Sequence, residues 1–316
     1  MLHVMTNLNV AVLGCPGYSR ELGKKGTESD ITLYNVKKGE TTVTFVEASK
    51  YPEKLQSLFY AAGFGDFIIL VVDEINASFG ETVLTLDCLG KKEGIIIPRN
   101  YITKEQRSRF INGTVVEGYE IIEENLPSLR EFIMGKAEAL VKGDDSPTGG
   151  VVVDHHFNVK GIGTVALGVV RWGQIHRHDK LRAYPTEKII QLRSIQRYDT
   201  DFETAEAGNR VGLALKNIEP SDIDRGTLLS NDESVKQTTL IEGKLDLVKY
   251  WTKPVEKGMT IHIGKDMQFI AGAVEDSAEE TIRVNIQKPL IYRDGENATM
   301  LYLNGGNLRI VGSIKL

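Results

Sequence analysis

The sequence predicts an α/β domain followed by two all-β barrels, and three observations carry that prediction. Short apolar runs alternate with helical segments from Asn7 to about Val141; a polar, Gly- and Pro-bearing stretch follows; beyond it the 3.6-residue period stops and short β runs continue to Leu316. At roughly 150 residues per domain, a chain of 316 residues holds two or three compact units.

In the first unit the readable strands are Val10 to Leu13, Ile31 to Tyr34, Thr42 to Glu47, Phe67 to Val72 and Ile95 to Ile97. Phe67 to Val72 is uninterrupted apolar residues, as suits a central strand buried on both faces. Glu53 to Ala62, Ser78 to Cys88, Thr103 to Ile111 and Leu126 to Leu140 read as helices, the last with Leu129, Phe132, Ile133 and Ala137 near a helical period. Lys142 to Gly150 has linker composition, which places a domain boundary there. The strands that follow are Val151 to Phe157, Thr164 to Val170, Lys188 to Gln196, Val211 to Leu215, Leu240 to Leu247 and the strictly alternating Thr281 to Ile286. Ser230 to Ser234 divides this half, so the expected domains are 1–145, 146–232 and 233–316.

Composition narrows the function classes. No run of about 18 apolar residues exists to span a bilayer, and the start, MLHVMTNLNVAVLG, lacks a basic n-region and reads as a first strand. Cys15 and Cys88 cannot staple a chain of this length, so a soluble, cytoplasmic protein with no membrane partner is expected. With 38 basic against 43 acidic residues the net charge of −5 excludes a generally basic nucleic-acid coat and leaves local patches open.

The most informative segments are Gly161-Ile162-Gly163-Thr164-Val165-Ala166-Leu167-Gly168, then Ala205 to Leu215 (AEAGNRVGLAL), then Ile223-Asp224-Arg225-Gly226-Thr227-Leu228-Leu229. They resemble the second domain of translational GTPases of the elongation factor Tu class, where a G-x-G-T-V strand, an A-G-x-x-V-G strand and an I-x-R-G turn define a small barrel. By that resemblance Thr239 to Leu316 is a shortened third-domain barrel and the N-terminal unit a G-like domain of the phosphate-loop type. Gly23 to Thr27 with Asp30-Ile31-Thr32 looks closest to the SelB-like branch, which delivers specially charged tRNAs. The resemblance implies an aminoacyl-tRNA as partner, carrying selenocysteine, pyrrolysine or another unusual residue, and the ribosome as a second partner. SelB's appended fourth domain has no counterpart before Leu316.

The nucleotide motifs depart from that family. A phosphate loop needs G-x-x-x-x-G-K-S/T, so that backbone N–H groups cradle phosphates, Lys neutralises charge and a hydroxyl binds Mg²⁺. Here Gly14 and Gly17 begin the loop, but Ser19 replaces the second Gly, Arg20 the Lys and Glu21 the Ser/Thr, and Pro16 has no N–H to offer. Where DxxG is due the chain has Glu47-Ala48-Ser49-Lys50, with Tyr51 in the place of the family's catalytic His. Where NKxD is due it has Pro98-Arg99-Asn100-Tyr101. From Gly14 to Glu47 there is little room for a first helix and a switch loop. The expectation is a pseudo-GTPase with no catalytic residue, no cofactor and no metal; Gly14, Gly17, Ser19 and Arg20 mark the degenerate loop. The rival expectations are a GTPase of altered chemistry, in which Arg20 replaces the Lys and GTP with Mg²⁺ is retained, and a ribosome-bound regulator without cargo.

Between Lys160 and Arg197 lie Lys160, Arg171, Arg177, Lys180, Arg182, Lys188, Arg193 and Arg197 against only Asp179 and Glu187. This reads either as a solvated barrel surface or as a phosphate-contacting face, with Trp172, Tyr184 and Tyr198 available to stack an unpaired base. The RNA-facing candidates are Lys160, Arg171, Trp172, Arg177, Arg182, Arg193, Arg197 and Arg210. His155, His156, His176 and His178 cluster, yet on a regular strand His155 and His156 face opposite ways, which suits surface positions or part of an aminoacyl pocket better than a zinc site. Cys15 stands at a possible helix N-terminus, a setting that lowers a thiol pKa, or is a small buried residue.

Overall fold

The structure, a computed structural model, describes residues 6–140, 146–278 and 281–316. The first five residues of the expected linker fall partly outside these ranges, since 141–145 are not among the described residues.

Domain 1 comprises β1 (Thr6–Leu13), β2 (Lys24–Glu28), β3 (Ile31–Lys38), β4 (Thr41–Ala48), α1 (Leu55–Phe64), β5 (Phe67–Val72), α2 (Ala77–Cys88), β6 (Gly94–Pro98), α3 (Lys104–Ile111), β7 (Glu120–Ile121) and α4 (Leu126–Glu138). Among the described residues its sheet has seven strands in the order β2-β3-β4-β1-β5-β6-β7. The β2-β3 and β3-β4 pairs are antiparallel and the rest parallel. Every residue of β5 is buried, because helices cover both faces of a mostly parallel sheet. The helices begin where polar side chains satisfy their free N–H groups: Asn76 accepts from Phe79 N–H, Thr103 and Gln106 form a capping box, and Asn125 accepts from Ser128 N–H.

No long helix follows β1. A single 3₁₀ turn, Tyr18–Glu21, leads directly into β2. The β2 strand was missed in the sequence because it is an edge strand, exposed along nearly its whole length, and carries no apolar alternation.

Barrel 2 comprises β8 (Gly150–Val159), β9 (Gly163–Trp172), β10 (Gln174–His176), β11 (Lys180–Tyr184), β12 (Lys188–Arg197), β13 (Thr200–Phe202), β14 (Thr204–Glu206), β15 (Arg210–Lys216) and β16 (Leu228–Ser230). The order β11-β16-β8-β9-β15-β12 closes when β12 pairs back to β11. Barrel 3 comprises β17 (Lys236–Leu247), β18 (Thr260–Lys265), β19 (Gln268–Ala278), β20 (Thr281–Tyr292), β21 (Asn297–Leu301) and β22 (Ile310–Lys315), closed in the order β17-β20-β19-β18-β21-β22. Closure removes the free edges that short strands would otherwise present. Among the described residues no helix is long and apolar enough to cross a membrane.

One apolar cluster runs from α1 into barrel 3. Phe59, fully buried, meets Phe269 edge-on at 6.0 Å, and the backbone of Gly264 comes so close that a Cβ there would lie 2.6 Å from the Phe59 ring. Val152, Val169 and Leu228 of barrel 2 join the same cluster, and polar contacts add to the seam with domain 1: Asn7 and Asn9 each donate to the Gly208 carbonyl at 3.0 Å.

Candidate functional site

The loop after β1 turns at Gly14, whose φ of +91° and backbone packing admit no side chain: a Cβ would lie 2.0 Å from the Val71 carbonyl oxygen. Gly17, at φ +87°, turns the chain again, so that its own N–H and that of Ser19 point to one spot while Tyr18 N–H donates to the Cys15 carbonyl. Such a concavity binds an anion. The anion it holds is the chain's own: the Glu47 carboxylate accepts from Gly17 N–H at 2.8 Å and from Ser19 N–H at 2.5 Å. Parallel pairing of β1 and β4, with Val12 opposite Glu47, delivers the carboxylate there, and Glu47 is only 5% exposed. Arg20, in the place of the phosphate-loop Lys, is exposed and engages Tyr34. Ser19 is buried.

The remaining nucleotide positions are likewise committed. Arg99 pairs with Asp73 at 3.1 Å and Glu124 at 3.0 Å, and Asn100 donates to the Asp73 carbonyl. Tyr101 projects fully into solvent. The Tyr51 hydroxyl donates to the Ser78 carbonyl at 2.9 Å and lies 3.1 Å from Glu81 Oε2. A cavity of about 250 Å³ persists at the ends of β1, β4 and β5, and its charged lining consists of Glu47, Asp73 and Glu74, which suits no phosphate.

Of the two settings open to Cys15, the structure favours the small buried residue over a thiol activated at a helix N-terminus. With only a 3₁₀ turn after it, burial and the neighbouring Asp73 push its thiol up to about 11 rather than down. At pH 8 its thiolate fraction should be about two decades below that of a free thiol of pKa about 8.5. Alkylation by iodoacetamide, followed by intact mass, should therefore be slow at pH 7–8 and rise about tenfold per pH unit above that.

A second constellation joins barrel 2 to domain 1. A β-bulge between Val153 and His155 breaks the alternation of β8, so the neighbours Asp154 and His155 meet, Oδ1 to Nδ1 at 2.6 Å. Asp154 is 1% exposed and its Oδ1 also accepts from Arg210 at 2.8 Å. Arg225 donates to the Asp154 carbonyl at 3.1 Å and to Ser29 Oγ at 2.7 Å, pairs with Asp30 at 3.6 Å and lies over the Tyr60 ring. His155 Nε2 stands 3.1 Å from Ser29 Oγ. Beside this cluster a cleft of about 420 Å³ separates β2 and β3 from barrel 2; its charged lining is Lys24, Lys25, Arg197 and Arg210 with only Asp199 opposing. A further cleft of about 450 Å³, between the start of α1 and barrel 3, carries Lys54, Lys288 and Arg309 against Glu53.

The family model of elongation factor Tu domain 2 matches residues 163–230, the stretch that forms most of barrel 2. A protein of Methanocaldococcus jannaschii known only as uncharacterized is 36% identical over 313 residues, covering 99% of this chain and 100% of its own length. The selenocysteine-specific elongation factor of the same organism is 24% identical over 303 residues, covering 90% of this chain. The chain belongs to the translational GTPase superfamily, in its SelB-like branch. It is a translation-factor-like protein. Its three-domain fold is that of the elongation factor SelB of Methanococcus maripaludis, solved with the GTP analogue GppNHp: TM-score 0.78, 19% identity, 99% of this chain and 79% of that one. This SelB-like chain spans 64% of the length of the selenocysteine-specific factor and 48% of an elongation factor 1-alpha from Cenarchaeum symbiosum.

The eight residues expected to face RNA separate into two groups in this SelB-like chain. Lys160, Arg177, Arg182 and Arg193 are exposed, Arg177 pairing with Glu203, Arg182 with Glu187 and Arg193 with the Ile162 carbonyl. The other four hold the molecule together. Arg171 donates to the Gly63 and Phe64 carbonyls and pairs with Asp66 of domain 1. Trp172 donates to Asp232 under the Arg293 guanidinium, Arg197 is 9% exposed against Asn209 and Phe202, and Arg210 serves Asp154. Sequence reasoning passed over Lys24, Lys25, Lys54 and Lys288, whose shared clefts form only in the assembled fold.

Proposed function

We propose that this chain binds a specialised aminoacyl-tRNA between domain 1 and barrel 2, and that it does so without GTP. The observation that carries the second half is the Glu47 carboxylate seated on the N–H groups of Gly17 and Ser19. A phosphate entering that nest must displace two charge-assisted hydrogen bonds worth about 1.5–3 kcal/mol each, and it meets a carboxylate in place of a Lys. Two such bonds alone correspond to about two to four decades of affinity. With Arg20 turned to solvent, nothing supplies the lost charge for the altered-GTPase alternative.

The RNA half is supported by the basic clefts on either side of domain 1, which offer an RNA end phosphate contacts on both flanks.

Filter binding with acylated and deacylated tRNA, with and without GTP and Mg²⁺, tests both halves together. The expected result is preference for acylated tRNA, weakening with salt and indifferent to nucleotide. GTP-dependent binding would overturn the nucleotide half. Co-sedimentation with ribosomes without affinity for free tRNA would overturn the cargo half.

A further inference from the structure

Glu81 of α2 is 3% exposed and carries four contacts. Its carboxylate accepts from the backbone N–H, Nε and Nη2 of Arg309 at 3.1, 2.9 and 2.5 Å, and from the Tyr51 hydroxyl at 3.1 Å. Arg309 belongs to barrel 3, where its carbonyl accepts from Tyr302 N–H, and its Nη2 also donates to the Pro52 carbonyl at 3.1 Å. One bidentate ion pair, its carboxylate buried and its guanidinium half-buried, therefore joins three pieces: α2, barrel 3, and the segment between β4 and α1 that carries Tyr51 and Pro52.

The same segment is held at its other end. It leaves β4 one residue after Glu47, whose carboxylate is fixed to the loop after β1, and Ser49 bonds Thr32 while Lys50 N–H donates to Ser57 Oγ. This is the stretch where the family's DxxG would answer to a γ-phosphate. Here every anchor is a protein group.

We propose that Glu47 and the Glu81–Arg309 pair stand in for the nucleotide: together they hold residues 48–54 and barrel 3 in one arrangement that needs no ligand to form and has no second state to switch to. An anionic side chain occupies the phosphate nest, and an ion pair with fork geometry on the buried Glu81, costly to break once Arg309 is removed, ties the would-be switch to barrel 3. The inference rests on the nucleotide half of the function proposed above and is independent of the cargo.

Hydrogen exchange by mass spectrometry on the full chain tests it, with Arg309→Met and Glu81→Gln, and with GppNHp–Mg²⁺ added at millimolar concentration to the unaltered protein. Exchange over 48–54 and the small-angle scattering profile of the unaltered protein should not respond to the nucleotide. Arg309→Met should speed exchange over 48–54 by about tenfold or more, with Glu81→Gln intermediate. Unchanged exchange in Arg309→Met would overturn the proposal. If that variant does not fold, Arg309→Lys, which keeps the charge and loses the fork, decides the same point. A nucleotide response confined to residues 14–21 would sink the nucleotide-free reading and the Glu47 half of the lock with it, leaving the Glu81–Arg309 tie; one that reaches 48–54 or alters the scattering would sink the whole lock.

Discussion

Asp154→Ala should lower stability by about 3 kcal/mol, the low end for a buried pair, because it removes the buried carboxylate that pairs with the half-buried Arg210 and leaves His155 without its orienting partner. Urea denaturation followed by far-UV circular dichroism would read it as a lower midpoint at pH 7. The acid dependence has a definite sign. Burial alone would raise the Asp154 pKa, but the Arg210 guanidinium and His155 overcome it and hold the carboxyl below its ordinary value. A carboxyl depressed in the fold stabilises fully above its unfolded pKa of about 4 and loses that contribution as pH falls through the folded value. The gap between the unaltered protein and Asp154→Ala should thus be complete at pH 7 and narrow below about pH 4. An equal gap at both pH values would mean that the loss comes from packing and not from charge.

What the sequence disclosed and what it withheld divide along one line. Features written in local pattern were legible: the apolar run of β5, the three barrel segments in order, and the loop after Gly14, where Arg20 and Glu21 stand at the positions of the family's Lys and Ser/Thr. Features made by register were not. Glu47 reads in the sequence only as a failed DxxG, since nothing local reveals that the pairing of Val12 with Glu47 delivers its carboxylate to Gly17 and Ser19. His155 and Asp154 obey strand alternation on paper, and the bulge that lets them meet adds one residue to β8 without a Gly to announce it. Arg171 and Arg210 illustrate the reverse error. Counted as surface charge, they have partners in distant parts of the chain: Arg171 engages the Gly63 and Phe64 carbonyls and Asp66 of domain 1, and Arg210 engages Asp154 across barrel 2.

Lys24→Gln with Lys25→Gln should weaken binding of acylated tRNA by about twenty-five-fold at 0.1 M salt and flatten the dependence of log affinity on log salt by about 1.4, if both lysines neutralise phosphates of a single strand. Both residues are exposed on the edge strand β2 and border the cleft, Lys25 in an exposed pair with Glu28 at 2.7 Å, so the double change should leave the unfolding midpoint in place. Arg177→Gln with Arg193→Gln removes the same charge from the open side of barrel 2, where Glu203 and the Ile162 carbonyl already engage those groups. The comparison separates a cleft that guides an RNA end from a barrel face that is merely basic, because long-range attraction falls equally in both variants at low salt while contacts to bound phosphates fall only where the RNA lies. Equal loss in the two pairs would place the RNA by overall charge alone. Loss in the Arg177 and Arg193 pair with none in the lysine pair would move the interface out of the cleft and onto the barrel.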